Sequence, residues 1–74
     1  MNFVDWICEK KEYSKRSAMD VESRLRRVKD IVGERINNKT LENLEKNEDF
    51  TKLSVSVKSQ MRKAIRLYNE YKGE

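Results

Sequence analysis

The stretch Ser54–Lys72, SVSVKSQMRKAIRLYNEYK, decides the reading of the fold. Val57, Met61, Ala64, Tyr68 and Tyr71 recur at i, i+4, i+7, i+11 and i+14, the spacing of one buried stripe on an α-helix. Wound at about 100° per residue, Lys58, Arg62 and Arg66 form a second line at i, i+4 and i+8, beside the apolar one. Lys63 lies farther round the exposed surface. From Lys52 to Lys72 six Lys or Arg stand against a single acid, Glu70, a local charge near +5. One face of this helix suits a core and another suits an anion.

Around that helix the whole chain is small. At 74 residues it holds one domain, spanning 1–74, close to the size at which a single core is only just sufficient. The expected net stability is about 3–5 kcal/mol. With 36% hydrophobic residues, 41% charged residues and no Pro, long helices are favoured over a large sheet. A net charge of +4 permits nucleic acid or an acidic surface as partner, but 13 acids are interspersed, so net charge alone does not choose between them. There is no apolar run long enough to span a bilayer and no signal-peptide pattern, so no membrane partner is expected. Cys8 is the only cysteine, which excludes an internal disulfide and fits a reducing cytoplasm, the expected location. One Cys and no His make no zinc site, and neither metal nor cofactor is expected.

Toward the N-terminus, Asn2 can cap a first helix with Asp5 near its positive end. Phe3, Trp6, Ile7 and Cys8 share one side, and the helix runs to about Glu12. Trp6 reads as core rather than as a base-stacking platform, and Cys8 as a half-buried packing residue, since no His sits beside it. Tyr13–Ser17 is a break, after which Ser14 or Ser17 caps a second helix. Ala18, Val21, Leu25, Val28 and Val32 form its inward stripe. Gly33 suits a terminator, although Ile36 keeps the phase and extends the expected helix to about residue 35. Between Lys10 and Lys29 lie eight basic residues and three acids. Lys15 and Arg16 stand at the helix start, where backbone N–H groups also attract phosphate. Arg24, Arg26, Arg27 and Lys29 read, singly, as a solvated face with ordinary ion pairs.

Asn37-Asn38-Lys39 reads as a turn, with Asn38 or Thr40 capping a short helix, TLENLEKN, whose buried pair is Leu41 and Leu44. Phe50 and Leu53 anchor the crossing into the last helix. Glu42, Glu45, Glu48 and Asp49 do not share one helical face and match no calcium loop. They are expected to mark the side turned away from an anionic partner. The sum is an all-α bundle of four helices, near 2–12, 15–35, 40–47 and 55–72. Its expected core is Trp6, Leu25, Val28, Leu44, Phe50, Met61, Ala64 and Tyr68.

These residues carry a family resemblance. The aromatic pair Phe3 and Trp6 is followed by Tyr13-Ser14-x-x-Ser17-Ala18, then by Val21, Leu25 and Val28 on one helix and Leu41 and Leu44 on a short one. Ser56-x-Lys58-Ser59, Ala64-Ile65, Tyr68 and Tyr71 close the series. The order resembles the N-terminal core-binding, SAM-like domain of tyrosine recombinases and phage integrases, over nearly the whole chain. Two departures are Ser17, where the family usually has Thr, and Val21, where an aromatic is common. The chain is also slightly short for the family.

The resemblance implies a four-helix SAM-like bundle that clamps one face of double-stranded DNA during DNA integration or recombination. By position, the family's contacts fall on Lys15, Arg16 and Ser17 at the second helix start. On the last helix they fall on Ser56, Lys58, Ser59, Arg62, Lys63 and Arg66. The charge pattern singles out most of these residues independently. It also implies that the chemistry lies elsewhere, in a covalently linked or separate catalytic domain that supplies a nucleophilic Tyr with Arg, Lys and His. With no His here, and no constellation around Tyr13, Tyr68 or Tyr71, the chain is not expected to be an enzyme or to take a small-molecule substrate. Met1 fits the start of such a recombinase, and Gly73-Glu74 falls where its linker would begin.

Two functions therefore compete. The first is a DNA-binding module that grips phosphates with its second and last helices. The second is a protein-interaction domain, an adaptor or inhibitor docking on an acidic partner. That second function asks for a contiguous exposed patch made by Ile31, Val55, Ile65 and Leu67.

Overall fold

Asn2 opens the first helix as its residue type suggests, its side-chain oxygen accepting the Asp5 N–H at 2.8 Å. In the computed structural model, which describes residues 1–73, this helix is α1, Phe3–Lys10. It ends two residues earlier than its pattern suggests, because Glu12 takes a left-handed backbone (φ 57°) that turns the chain back. Ser14, not Ser17, then caps α2, Lys15–Val32, accepting the Ser17 N–H at 3.2 Å. Gly33 closes α2 at φ 73°, the left-handed conformation that glycine adopts without a Cβ penalty. The helix does not continue to residue 35, yet Ile36 is buried, delivered to the core by the reversal rather than by helical phase.

After the turn, α3 spans Thr40–Glu45. Neither Asn38 nor Thr40 caps it. Thr40 is instead fully buried, and its hydroxyl oxygen accepts the Asn37 N–H at 2.7 Å. Leu44 is buried but Leu41 is only half-buried. A further helix, α4, Glu48–Thr51, makes five helices among the described residues where four are expected. Asn47 caps it through the Asp49 and Phe50 N–H groups, and Phe50 lies inside the core. Last comes α5, Val55–Gly73, capped by the Ser54 hydroxyl oxygen, which accepts the Val57 N–H at 3.2 Å. Gly73 is helical, and Glu74, the other half of the expected linker start, lies outside the described residues. The described residues form helices and turns with no strand, so the chain is all-α. No helix among them is long and apolar enough to cross a membrane.

α5 packs on α1, α2 and α3, and three neighbours need a broad face. Met61, Ala64, Ile65 and Leu67 are its buried residues, an arc of about 160° at 100° per residue. Ile65 and Leu67, placed by the pattern at or beyond the stripe edges, are therefore core. Tyr68 and Tyr71 are half-buried and close one end of the bundle. With Phe3 and Trp6 they form an aromatic group whose ring centroids lie 5.2 to 6.4 Å apart. Tyr71 Oη also donates to the Met1 carbonyl at 2.8 Å. Each such ring pair adds about 0.5–1.5 kcal/mol beyond area burial, so this corner fastens α1 to the end of α5.

Candidate nucleic-acid interface

Because α5 buries one arc and is flanked by α2 on one side and α3 on the other, its basic residues divide between two flanks. On the α2 side, Lys63 reaches over the Tyr13 ring at 5.7 Å. Lys63, Tyr13 and Ser17 line an open groove of about 210 Å³ with Asp20, Arg24 and Gln60. Arg24 bridges this groove, its Nε donating to Gln60 Oε1 at 2.8 Å. That partner is a neutral amide, and Arg24 forms no ion pair among the described residues, with Asp20 the acid on the same groove wall. A second depression of about 310 Å³ continues the groove between Arg24, Gln60, Ser23 and Arg27.

The start of α2 thus meets α5 at Ser17 and Lys63. The Ser14 hydroxyl donates to Ser17 Oγ at 3.1 Å, which leaves the Ser17 O–H free to donate outward. Arg16 is exposed, with no ion pair among the described residues. Lys15 is also exposed, but its Nζ lies 3.8 Å from Asp5, a loose pair that screens part of its charge.

On the α3 side the picture changes. Arg62 forms a two-point pair with Glu45: Nε donates to Oε1 and Nη2 to Oε2, the latter at 3.1 Å. The guanidinium also rests over the Phe50 ring at 5.4 Å. It is half-buried rather than freely exposed, with 32% of its side chain accessible. The hydrogen bond from Arg62 holds the Glu45 carboxyl below the ordinary glutamate value, opposed by partial burial and assisted by the charges of Arg62, Lys58 and Arg66. The Arg62 guanidinium is raised in turn by the same bond.

Lys58 is half-buried and Arg66 exposed, and neither has an ion pair among the described residues. Ser56 and Ser59 are exposed on the outer face of α5. Ser17 and Lys63 come together, whereas the line Lys58, Arg62, Arg66 faces Glu45.

That pairing corrects one expectation directly. The acids of the α3–α4 segment are not all turned away from the basic helix, because Glu45 meets it. Glu42 instead pairs with Lys46 at 3.5 Å, one turn along α3. Two arginines passed over singly, Arg24 and Arg27, also lie on the groove walls. Their spacing from Arg16, at i+8 and i+11, was the available signal. The apolar patch that a protein partner would ask for does not form: Ile65 and Leu67 are buried, Ile31 is half-buried, and of the four only Val55 is largely exposed, at 77%. Among the described residues no three His, Cys, Asp or Glu side chains come together as a metal cage. Comparison with protein-family models, with curated proteins and with solved structures finds no match to this chain.

Proposed function

We propose that this chain is a DNA-binding module that grips duplex DNA mainly through its phosphates, using the outer face of α5 and the start of α2. The observation that carries the proposal is the junction of these two helices, where Ser17 and Lys63 share one groove with Arg24, whose hydrogen-bond partner is the neutral Gln60. Lys58, Lys63 and Arg66, which have no acidic partner among the described residues, supply point charges along α5. Lys15 and Arg16 extend the positive surface to α2. Ser17, Ser56 and Ser59 offer hydroxyl donors that fix register on the backbone without reading sequence. Arg66 is the exposed arginine of α5 and suits guanine if that helix enters the major groove.

The fold reading that goes with this function is a SAM-like bundle, as in the N-terminal core-binding domain of tyrosine recombinases and phage integrases. α4 then counts as an elaboration of the link between its last two helices. In that role the module positions DNA for a catalytic domain and performs no strand cleavage itself. The protein-partner reading has no apolar patch at Ile31, Val55, Ile65 and Leu67 to rest on.

Electrophoretic shift of a random-sequence duplex at two salt concentrations tests the function. With about four phosphates neutralised, the log–log salt slope should be about −3.6, and binding should be micromolar or weaker. The same preparation should neither nick nor relax supercoiled plasmid. Absence of any shift at low salt and high micromolar protein would contradict DNA binding. A covalent Tyr–DNA product would contradict the non-catalytic role.

A further inference from the structure

We propose that Glu45 is a built-in counter-ion that covers Arg62 on the α3 side of α5 and so holds down the affinity of this face for nucleic-acid phosphate. The inference rests on the DNA-binding reading and concerns the regulation of the same surface.

The geometry comes first. An arginine edge that offers two parallel N–H donors recognises a carboxylate and a phosphate in the same way. Arg62 presents such an edge, and Glu45 occupies it with both carboxylate oxygens. Phe50 lies against the guanidinium at 5.4 Å, so the group is supported by the core side of the fold and aimed at α3. Phosphate arriving along α5 therefore meets an arginine already placed but already occupied.

The acid is as well placed as the base. Glu45 is the last residue of α3, and the junction that follows is tied down. The Asn47 side chain caps α4 through its oxygen and donates from Nδ2 to the Ile31 carbonyl of α2 at 3.3 Å. Lys58 and Arg66, one turn to either side of Arg62, act on the same carboxylate through space. One negative charge thus sits within the field of three cations. Both partners remain partly accessible, 32% for Arg62 and 42% for Glu45, so a competing anion can reach the pair.

The consequence is a difference between arginines. In the parent chain Arg62 contributes little to phosphate binding, because contact requires displacing Glu45. Once the carboxylate is neutralised, Arg62 becomes a full contact and Lys58 and Arg66 lose an opposing charge.

Fluorescence anisotropy of a labelled random-sequence 20-base-pair duplex, at 50 and 200 mM salt, tests this with four variants of the full chain. Glu45→Gln should bind about 3- to 10-fold more tightly at the lower salt, with a slope steeper by about one unit, the share of one added phosphate contact. Arg62→Gln in the parent should lose little, whereas Arg62→Gln added to Glu45→Gln should erase the gain. Glu42→Gln, which removes the same net charge but whose acid pairs with Lys46, should gain far less. If the parent binds and Glu45→Gln matches it in affinity and slope, Glu45 is idle and DNA binding stands without it. If Glu42→Gln gains as much as Glu45→Gln, the effect is net charge and the proposal is wrong. If no variant binds, the DNA reading fails and this inference falls with it. Circular dichroism of Glu45→Gln and Glu42→Gln should match the parent, since those acids are exposed, and the same spectrum checks that the variants lacking the half-buried Arg62 remain helical.

Discussion

Both flanks of α5 carry basic residues, Lys63 toward α2 and Arg62 toward α3, yet they meet opposite surroundings. Toward α2, Lys63 faces Tyr13, Ser17, Arg24 and Gln60, and among the described residues the only acid lining that groove is Asp20. Toward α3, Arg62 is bound by both oxygens of Glu45 and stacked on Phe50. One flank is open to an anion, and the other holds one of its own. A cation's position on its helix sets the direction in which it points. Whether its charge is available depends on the helix opposite.

The largest expected effect concerns what holds each flank in place. Leu25 braces the α2 side and Phe50 the α3–α4 side, and both are almost fully buried. Leu25→Ala should cost about 2–5 kcal/mol and Phe50→Ala about 3–5 kcal/mol through the cavities they leave. Either loss is comparable with the whole stability expected for a domain of this size, about 3–5 kcal/mol. Urea melts followed by circular dichroism should show both variants largely unfolded at room temperature. If Phe50→Ala melts like the parent while Leu25→Ala does not, the α3–α4 flank is not a brace, and the placement of Glu45 loses its support.

A smaller effect separates the flanks by charge. Lys63→Gln removes a cation with no acidic partner among the described residues, and Arg62→Gln removes one that is already paired. The first should flatten the DNA salt slope by about 0.9 units, and the second by clearly less. Equal losses from the two substitutions would show that the flanks are electrostatically alike.

The smallest effect is on stability against pH. The folded pKa of Glu45 is lowered, chiefly by the hydrogen bond from Arg62. A lowered folded value means that the unfolded chain takes up the proton first as pH falls. The contribution of the pair is therefore fully present above the ordinary glutamate value and is lost as pH falls through the depressed one. The difference in urea midpoint between the parent and Arg62→Gln should be steady from neutral pH down to that window, and should then close. A difference unchanged at lower pH would mean that the Arg62 effect is packing on Phe50 rather than charge.

Much of the fold was legible because it rests on local periodicity. Trp6, Leu25, Val28, Leu44, Phe50, Met61 and Ala64 are buried as their spacing predicts, and only Tyr68 of the expected core is half-exposed. α4 was missed because four residues are too few to show a helical period, and Asn47 was its one sign. A narrow stripe assumes one neighbour and puts Ile65 and Leu67 at or beyond its edges, whereas α5 packs on α1, α2 and α3 together. Asn2, Ser14 and Gly33 act at helix ends as their residue types suggest.

The candidate site was less legible, for a related reason. The basic line of α5 follows from spacing within one helix. Glu45 lies 17 residues before Arg62, and nothing in the spacing of either segment says that they face each other. Arg24 likewise gains its place by bridging to Gln60, 36 residues away. Pairing across helices is set by how the core packs, and periodicity does not encode it residue by residue.

The most direct test is to change Lys58, Lys63 and Arg66 together to Gln and compare the salt dependence of duplex binding with that of the parent. These are the α5 cations of the interface that form no ion pair among the described residues. Their removal should flatten the slope by about two to three units, at about 0.9 per phosphate, and weaken binding most at low salt. The helical circular-dichroism spectrum should be retained. A triple variant that stays folded with the parent's affinity and slope would contradict DNA binding through α5.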